Sequence, residues 1–146
     1  MLANLLLGLL TMVACLLVQA LLVLIAVKFY LRNPRLVDSP TLAGTFGLIS
    51  AVMVLLVIGN FVQIAIWAAV FIYLGEFSDF TTAGYHSAVN FATLGYGDIV
   101  MSEDHRILGP MQSINGVLMV GVSTAVVMAA LQNALQRTRQ ARDESQ

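Results

Sequence analysis

Apolar side chains fall in three long runs without charge. In the first, residues 2–27, the strongly polar side chains are Asn4, near its start, and Gln19. A helix crossing a bilayer needs about 20 consecutive apolar residues, so this run predicts a first spanning helix over 1–28. A cleaved signal peptide is the rival reading, but it would place positive charge ahead of a shorter apolar core. Here Lys28, Arg32 and Arg35 follow the run, which favours a retained helix. The second run, 39–75, is too long for one span at about 1.5 Å per residue. Pro40 and Gly44 mark a lead-in, so the helix is expected over 45–74 and 29–44 is left as a loop. The third run, 107–136, has Pro110 near its start, where a missing N–H costs little. It predicts a helix over 107–134, followed by a tail over 135–146.

Between the second and third runs lies 76–106. Its first part reads as a short helix over 79–92, with Ser78 or Asp79 available as an N-cap. Such a piece cannot span. Short helices and irregular backbone at membrane depth are tolerated only where protein or a water-filled cavity surrounds them. A re-entrant segment is the natural reading, within an all-α membrane protein of three transmembrane helices.

Composition strengthens the membrane assignment. The 146 residues are 59% hydrophobic and 10% charged, with net charge −1, whereas soluble domains carry about 25% charged residues. No dense basic run with interleaved aromatics is present, which sets nucleic-acid binding aside. The single Cys15 has no intrachain partner for a disulfide. Charge then predicts orientation. Lys28, Arg32 and Arg35 stand against Asp38 in the first loop, and Arg137, Arg139 and Arg142 against Asp143 and Glu144 in the tail. Residues 76–106 carry Glu76, Asp79, Asp98, Glu103 and Asp104 against Arg106. The positive-inside rule places the first loop and the C-terminus in the cytoplasm of a cell membrane, with the N-terminus and 76–106 outside. Phe71, Tyr73, Phe77 and Phe80 fit the outer interface, and Phe29 and Tyr30 the inner one.

The run TLGYGD at 93–98 is the chemically distinctive stretch. A dinucleotide loop would want a third glycine where Val100 stands, and a strand before it. An ordinary turn explains two glycines but not Thr93 or Tyr96. An ion filter explains all of them. A row of carbonyls facing one axis needs backbone that alternates between left- and right-handed regions, and glycine supplies positive φ at little steric cost. Carbonyls of Thr93, Leu94, Gly95 and Tyr96, with the Thr93 hydroxyl below, would then stack as oxygen rings that replace the hydration shell of potassium. One strand gives one oxygen per ring, so four chains must share the axis.

Thr93-Leu94-Gly95-Tyr96-Gly97-Asp98 closely resembles the potassium-channel signature T-V-G-Y-G-D. The order outer helix, pore helix, filter, inner helix over 45–134 is similar to that family's pore module. The resemblance implies a homotetramer in which Thr93 to Gly97 bind K+ and Asp98 stands behind the outer mouth. The short helix would aim the negative end of its dipole at a central cavity. The resemblance further implies a hinge at Gly116, a small-residue position at Gly121 and cavity-lining Val117, Val120 and Thr124. The cuff departs from the pattern. Leu94 replaces valine, and Ala92 replaces a common threonine. Tyr85 and His86 stand where many relatives carry tryptophans. Val89 stands where some bacterial members place a glutamate that pairs with the aspartate.

The remaining polar residues have plainer readings. Asn60 and Gln63 suit interhelical hydrogen bonds. Asn115 either braces the short helix or faces the cavity. His86 and His105 are candidate sensors of external pH, against packing for the first and solvation for the second. Glu103, Asp104 and His105 read as an acidic mouth that concentrates cations. The first helix holds no arginine or lysine before Lys28, which predicts weak voltage dependence. No nucleophile–base pair suggests an enzyme, and no cofactor is expected beyond permeant potassium, with lipid as the other partner. The expected function is a passive potassium channel. The alternatives are a weakly selective cation channel and a non-conducting accessory subunit.

Overall fold

The computed structural model describes residues 1–32 and 42–143. Among these residues the structure is helical: α1 (Leu2–Arg32), α2 (Leu42–Tyr73), α3 (Phe80–Phe91) and α4 (Leu108–Asp143). Three of these helices are long and apolar enough to cross a membrane, over Leu2–Phe29, Phe46–Tyr73 and Leu108–Gln136. Spans of 28 or 29 residues reach about 42 Å, against a hydrocarbon core of about 30 Å. The chain is thus a multi-pass, all-helical membrane protein.

The helices run further than charge patterning suggests. α1 continues to Arg32 instead of ending at 28, and α2 begins at Leu42 instead of 45. Lys28 and Arg32 stop the apolar run but not the helix, because long unbranched side chains favour helix as well as leucine does. α4 continues to Asp143, taking in most of the segment expected as a tail over 135–146. Residues 135–143 contain neither glycine nor proline, so nothing local ends the helix. Most of the loop expected over 29–44, including Arg35, Asp38 and Pro40, lies outside the described residues, as does Glu144.

α2 ends in a Schellman motif. Gly75 adopts φ 76°, its N–H donates to Ile72 O, and the Glu76 N–H donates to Phe71 O at 3.0 Å. Glycine is the usual residue for this left-handed position. Just inside the turn, Trp67 and Phe71 pack with Cys15 of α1 and with Leu108 and Met111 of α4. A second cluster joins Ala26 of α1 to Val52 and Leu56 of α2, with Val126 and Val127 of α4 against it. α1 therefore packs on both of the other long helices. Its remaining leucines, such as Leu2, Leu10, Leu17 and Leu24, point outward, as lipid-facing side chains do.

Midway along the span, polar groups join all three long helices. Gln63 Nε2 donates to Gln19 Oε1 at 2.8 Å, and Gln19 Nε2 donates to Ser123 Oγ at 3.2 Å. Gln19 and Gln63 are almost fully buried. Lipid offers no replacement partner, so an amide buried here is best placed against another amide. One turn away, Gly59 lets α1 come close: a Cβ there would lie 2.2 Å from Leu22 Cδ1.

Replacing Gln63 with leucine leaves Gln19 Oε1 without its donor. Gln63→Leu should lower stability by about 0.6–1.7 kcal/mol, measured by reversible unfolding in mixed micelles. The double variant with Gln19→Leu should cost less than the sum of the two single changes; strict additivity would mean that the two amides do not interact.

Candidate functional site

The site is built around α3. Asp79, extended at φ −135° and ψ 152°, caps this helix by accepting from the Thr82 N–H at 2.8 Å. That bond holds the Asp79 carboxyl below its usual range. Of the two cap candidates in the sequence, Ser78 and Asp79, the helix uses the second.

Three side chains fix α3 between α2 and α4. Ser87 Oγ donates to Ile64 O of α2 at 2.7 Å, while Gln112 Nε2 of α4 donates to Ser87 Oγ and, at 3.1 Å, to Ser87 O. Ser113 Oγ, also on α4, donates to Asn90 O at 2.9 Å. The C-terminal turn of α3 rests directly on α4: a Cβ on Gly116 would lie 2.0 Å from Phe91 O. The neighbouring atom is backbone, so no side-chain rotation relieves such a clash. Gly116, expected from the resemblance as a hinge, lies within an unbroken α4 and makes this contact.

α3 ends in a second Schellman motif. The Thr93 N–H donates to Asn90 O and the Leu94 N–H to Val89 O, each at 2.9 Å. The left-handed position is now Thr93, at φ 58°, the only non-glycine residue with positive φ among those described. A β-branched side chain in this region is a conformational outlier, costing about 1–3 kcal/mol where the surroundings hold it. Gly95 and Gly97 follow at φ 58° and 74°. Positive φ therefore recurs at every second residue across 93–97.

This segment is open on its flanks. Thr93, Leu94, Gly95, Tyr96, Gly97 and Asp98 are all exposed, as is Ala92, and a Cβ added to Gly95 or Gly97 would meet nothing within 4 Å. What holds the segment is the chain before and after it. Tyr85 Oη donates to Asp98 Oδ2 at 2.7 Å. This bond keeps the Asp98 carboxyl below its usual range and raises the Tyr85 phenol above its own. His86 Nδ1 lies 3.0 Å from Ile99 O, and its Nε2 lies 2.9 Å from Asn90 Nδ2. Phe71 and Phe77 pack against the His86 ring. Val89 is buried beneath the segment. A groove of about 610 Å³ separates the segment from the start of α4, with Val89, Asn90, Met101 and Pro110 among its lining residues.

The following loop is tied back to the end of α2. Glu76 accepts from the Ser102 N–H at 2.8 Å, from Ser102 Oγ, and from His105 Nδ1. Burial alone would raise the Glu76 pKa, but these bonds outweigh it and hold the group below its usual value. Asn4, at the start of α1, donates to Asp104 O.

The remaining sequence candidates separate into two groups. Asn115 is fully buried against the Cys15 side chain of α1. It thus lies apart from Val117, Val120, Gly121 and Thr124, which form an exposed strip on α4. No neighbouring atom lies within 4 Å of a Cβ built on Gly121. Of Glu103, Asp104 and His105, His105 is drawn back to Glu76, while Glu103 forms a loose exposed pair with Arg106 at 3.8 Å. Among the described residues no cluster of three side chains could hold a metal ion. The sequence reading passes over Ser87, Gln112, Ser113 and the Glu76–Ser102 link. Their signal is polarity within or beside apolar runs.

A family profile described as "Ion channel" matches residues 61–133, half of the chain. The match begins in α2, takes in α3 and the 93–98 segment, and ends in α4. No curated protein and no solved structure matched the chain.

Two outcomes follow from the contacts. Gly116→Ala should destabilise the fold by about 1–3 kcal/mol or more, read as a fall in thermal midpoint in detergent; an unchanged midpoint would mean that α4 does not rest on Phe91. The Tyr85 hydroxyl favours ionised Asp98. Their bond is therefore complete above the ordinary aspartate range near about 4 and is lost as pH falls through the depressed value. Tyr85→Phe should move Asp98 up toward that ordinary range, measured by carboxyl carbon NMR during an acid titration.

Proposed function

Because the chain belongs to the ion channel family, we propose that four copies surround one axis and conduct dehydrated potassium ions passively between carbonyl rings of Thr93, Leu94, Gly95 and Tyr96. The observation that carries this reading is the alternation of positive φ at Thr93, Gly95 and Gly97. Successive peptide carbonyls on one side of a strand require such alternation, because an ordinary β-strand turns them to opposite sides. The strained residue is the threonine whose hydroxyl would form the lowest ring. A glycine there, as at Gly75, would relieve the strain but remove that oxygen.

The surroundings support the same assembly. Residues 92–98 are exposed within one chain, which suits a segment that faces an axis and neighbouring copies. The strip of Val117, Val120, Gly121 and Thr124 would line the cavity below it. The carbonyl end of α3 points its partial negative charge toward the beginning of the segment, favouring a cation there. Ions in adjacent rings repel one another, so entry at one end releases an ion at the other. Charge asymmetry supports an outward-facing filter and a cytoplasmic C-terminus. The Asn4–Asp104 bond supports an N-terminus at the same membrane face as the outer loop.

Reconstitution in liposomes tests the reading. Potassium flux should greatly exceed sodium flux in the full chain. Gly95→Ala should abolish it while leaving the tetramer intact, because a Cβ at φ 58° is strained even where space is open. Equal fluxes of the two ions would overturn potassium selectivity. A stable dimer in crosslinking would overturn the fourfold filter.

A further inference from the structure

A second groove, of about 580 Å³, runs between the three long helices. Its walls are Val23 and Val27 of α1, Val52 of α2, and α4 from Val122 to Asn133. At about 3.6 residues per turn, its α4 lining lies roughly 160° around the helix from the strip of Val117, Val120, Gly121 and Thr124. A strip that meets the axis therefore turns this groove away from it.

The groove is one leaflet deep. It begins beside Ser123, at the level of the buried amides, and ends at Asn133. Over that stretch α4 rises about 17 Å, against about 15 Å for half of a hydrocarbon core. Among the described residues every lining side chain but Asn133 is valine or alanine. Such short side chains leave the space between the helices open.

The chemistry changes at the mouth. Asn133 supplies an exposed amide. Lys28 follows Val27 directly and is exposed, as is Arg32 one turn later. Arg137 stands one turn beyond Asn133 on α4. Among the described residues, the first carboxylate at this end of α4 is Asp143. Basic side chains lay their stems along apolar surface and carry the charge to the interface, where each attracts an anionic headgroup.

We propose that this groove binds one anionic glycerophospholipid from the leaflet at the Lys28 end. An acyl chain lies along Val126 and Ala129, and the phosphate meets Lys28, Arg137 and the Asn133 amide. A second copy of this chain is a poorer occupant, because a parallel neighbour brings the same basic residues to the same mouth. Val23, Val27 and Val52 precede residues 61–133 matched by the family profile. The site thus depends on the first helix and does not depend on conduction.

The test weighs the full chain by native mass spectrometry. The detergent micelles hold equal amounts of phosphatidylglycerol and phosphatidylcholine with the same acyl chains. The chain should retain phosphatidylglycerol preferentially. Arg137→Gln should cut that preference about fivefold, and adding Lys28→Gln about fivefold again, with phosphatidylcholine retention unchanged. Ala129→Phe fills the groove and should lose the retained lipid at an unchanged thermal midpoint and oligomeric state. Arg106→Gln, in the outer loop, should change nothing. Glycerol phosphate, a head without chains, should not displace the lipid. Equal retention of the two lipids overturns the proposal, as does a preference that survives in Arg137→Gln or Ala129→Phe. Displacement by glycerol phosphate overturns the role of the groove. An Ala129→Phe chain that folds but falls to smaller oligomers means that a neighbouring copy sits there instead. Where Ala129→Phe fails to fold, Arg137→Gln alone decides.

Discussion

The left-handed turn at Thr93 is the constraint around which the outer half of the molecule is arranged. It closes α3 and starts the exposed strand in one residue, and it does so with a β-branched side chain at φ 58°. Alone, such a turn would relax. Here the Thr93 and Leu94 N–H groups are already committed to Asn90 and Val89. Gly116 seats the backbone of Phe91 against α4, so the helix end cannot shift to relieve the strain. The two Schellman motifs make a natural comparison. At Gly75 the same geometry costs little and merely turns the chain, whereas at Thr93 it is maintained against a penalty.

What maintains it is two sets of hydrogen bonds, one buried between the helices and one at the outer surface. Ser87 is the centre of one set, accepting from Gln112 and donating to Ile64 O. The other set lies outward of the segment, where Tyr85, His86 and Glu76 secure residues 98 to 105. The strand is therefore fixed at both ends and free along its length. For the buried Ser87–Gln112 set the surroundings are of low dielectric, so each such bond is stronger than in water and each lost partner is more costly. The exposed segment gets its shape from groups on either side of it in sequence, not from contacts along its own flanks.

Much of this was legible in the sequence, for reasons that differ by element. Charge-free length marks the three spans because lipid penalises charge at every position. Asp79 signals the start of α3 because a cap is a local device. TLGYGD is legible because positive φ selects glycine at alternate positions. That α1 extends to Arg32 and α4 to Asp143 was not legible from charge, since charge reports where water begins and not how far a helix runs. The partners of Glu76 and Ser87 were hidden because each bond joins residues more than twenty positions apart. Gly116 shows a subtler limit: the residue stands out, but its neighbour Phe91 is visible only in three dimensions.

The amide chain from Gln63 through Gln19 to Ser123 also bears on how the protein is made. Gln19 leaves the ribosome before both of its partners, which lie 44 and 104 residues downstream. For that interval its amide resides in the bilayer without them. Retaining the first helix near the insertion site until the last one arrives would shorten its exposure to lipid. The order of packing would then follow the order of synthesis: α1 waits, α2 takes one side of the amide, and α4 completes the three-helix unit.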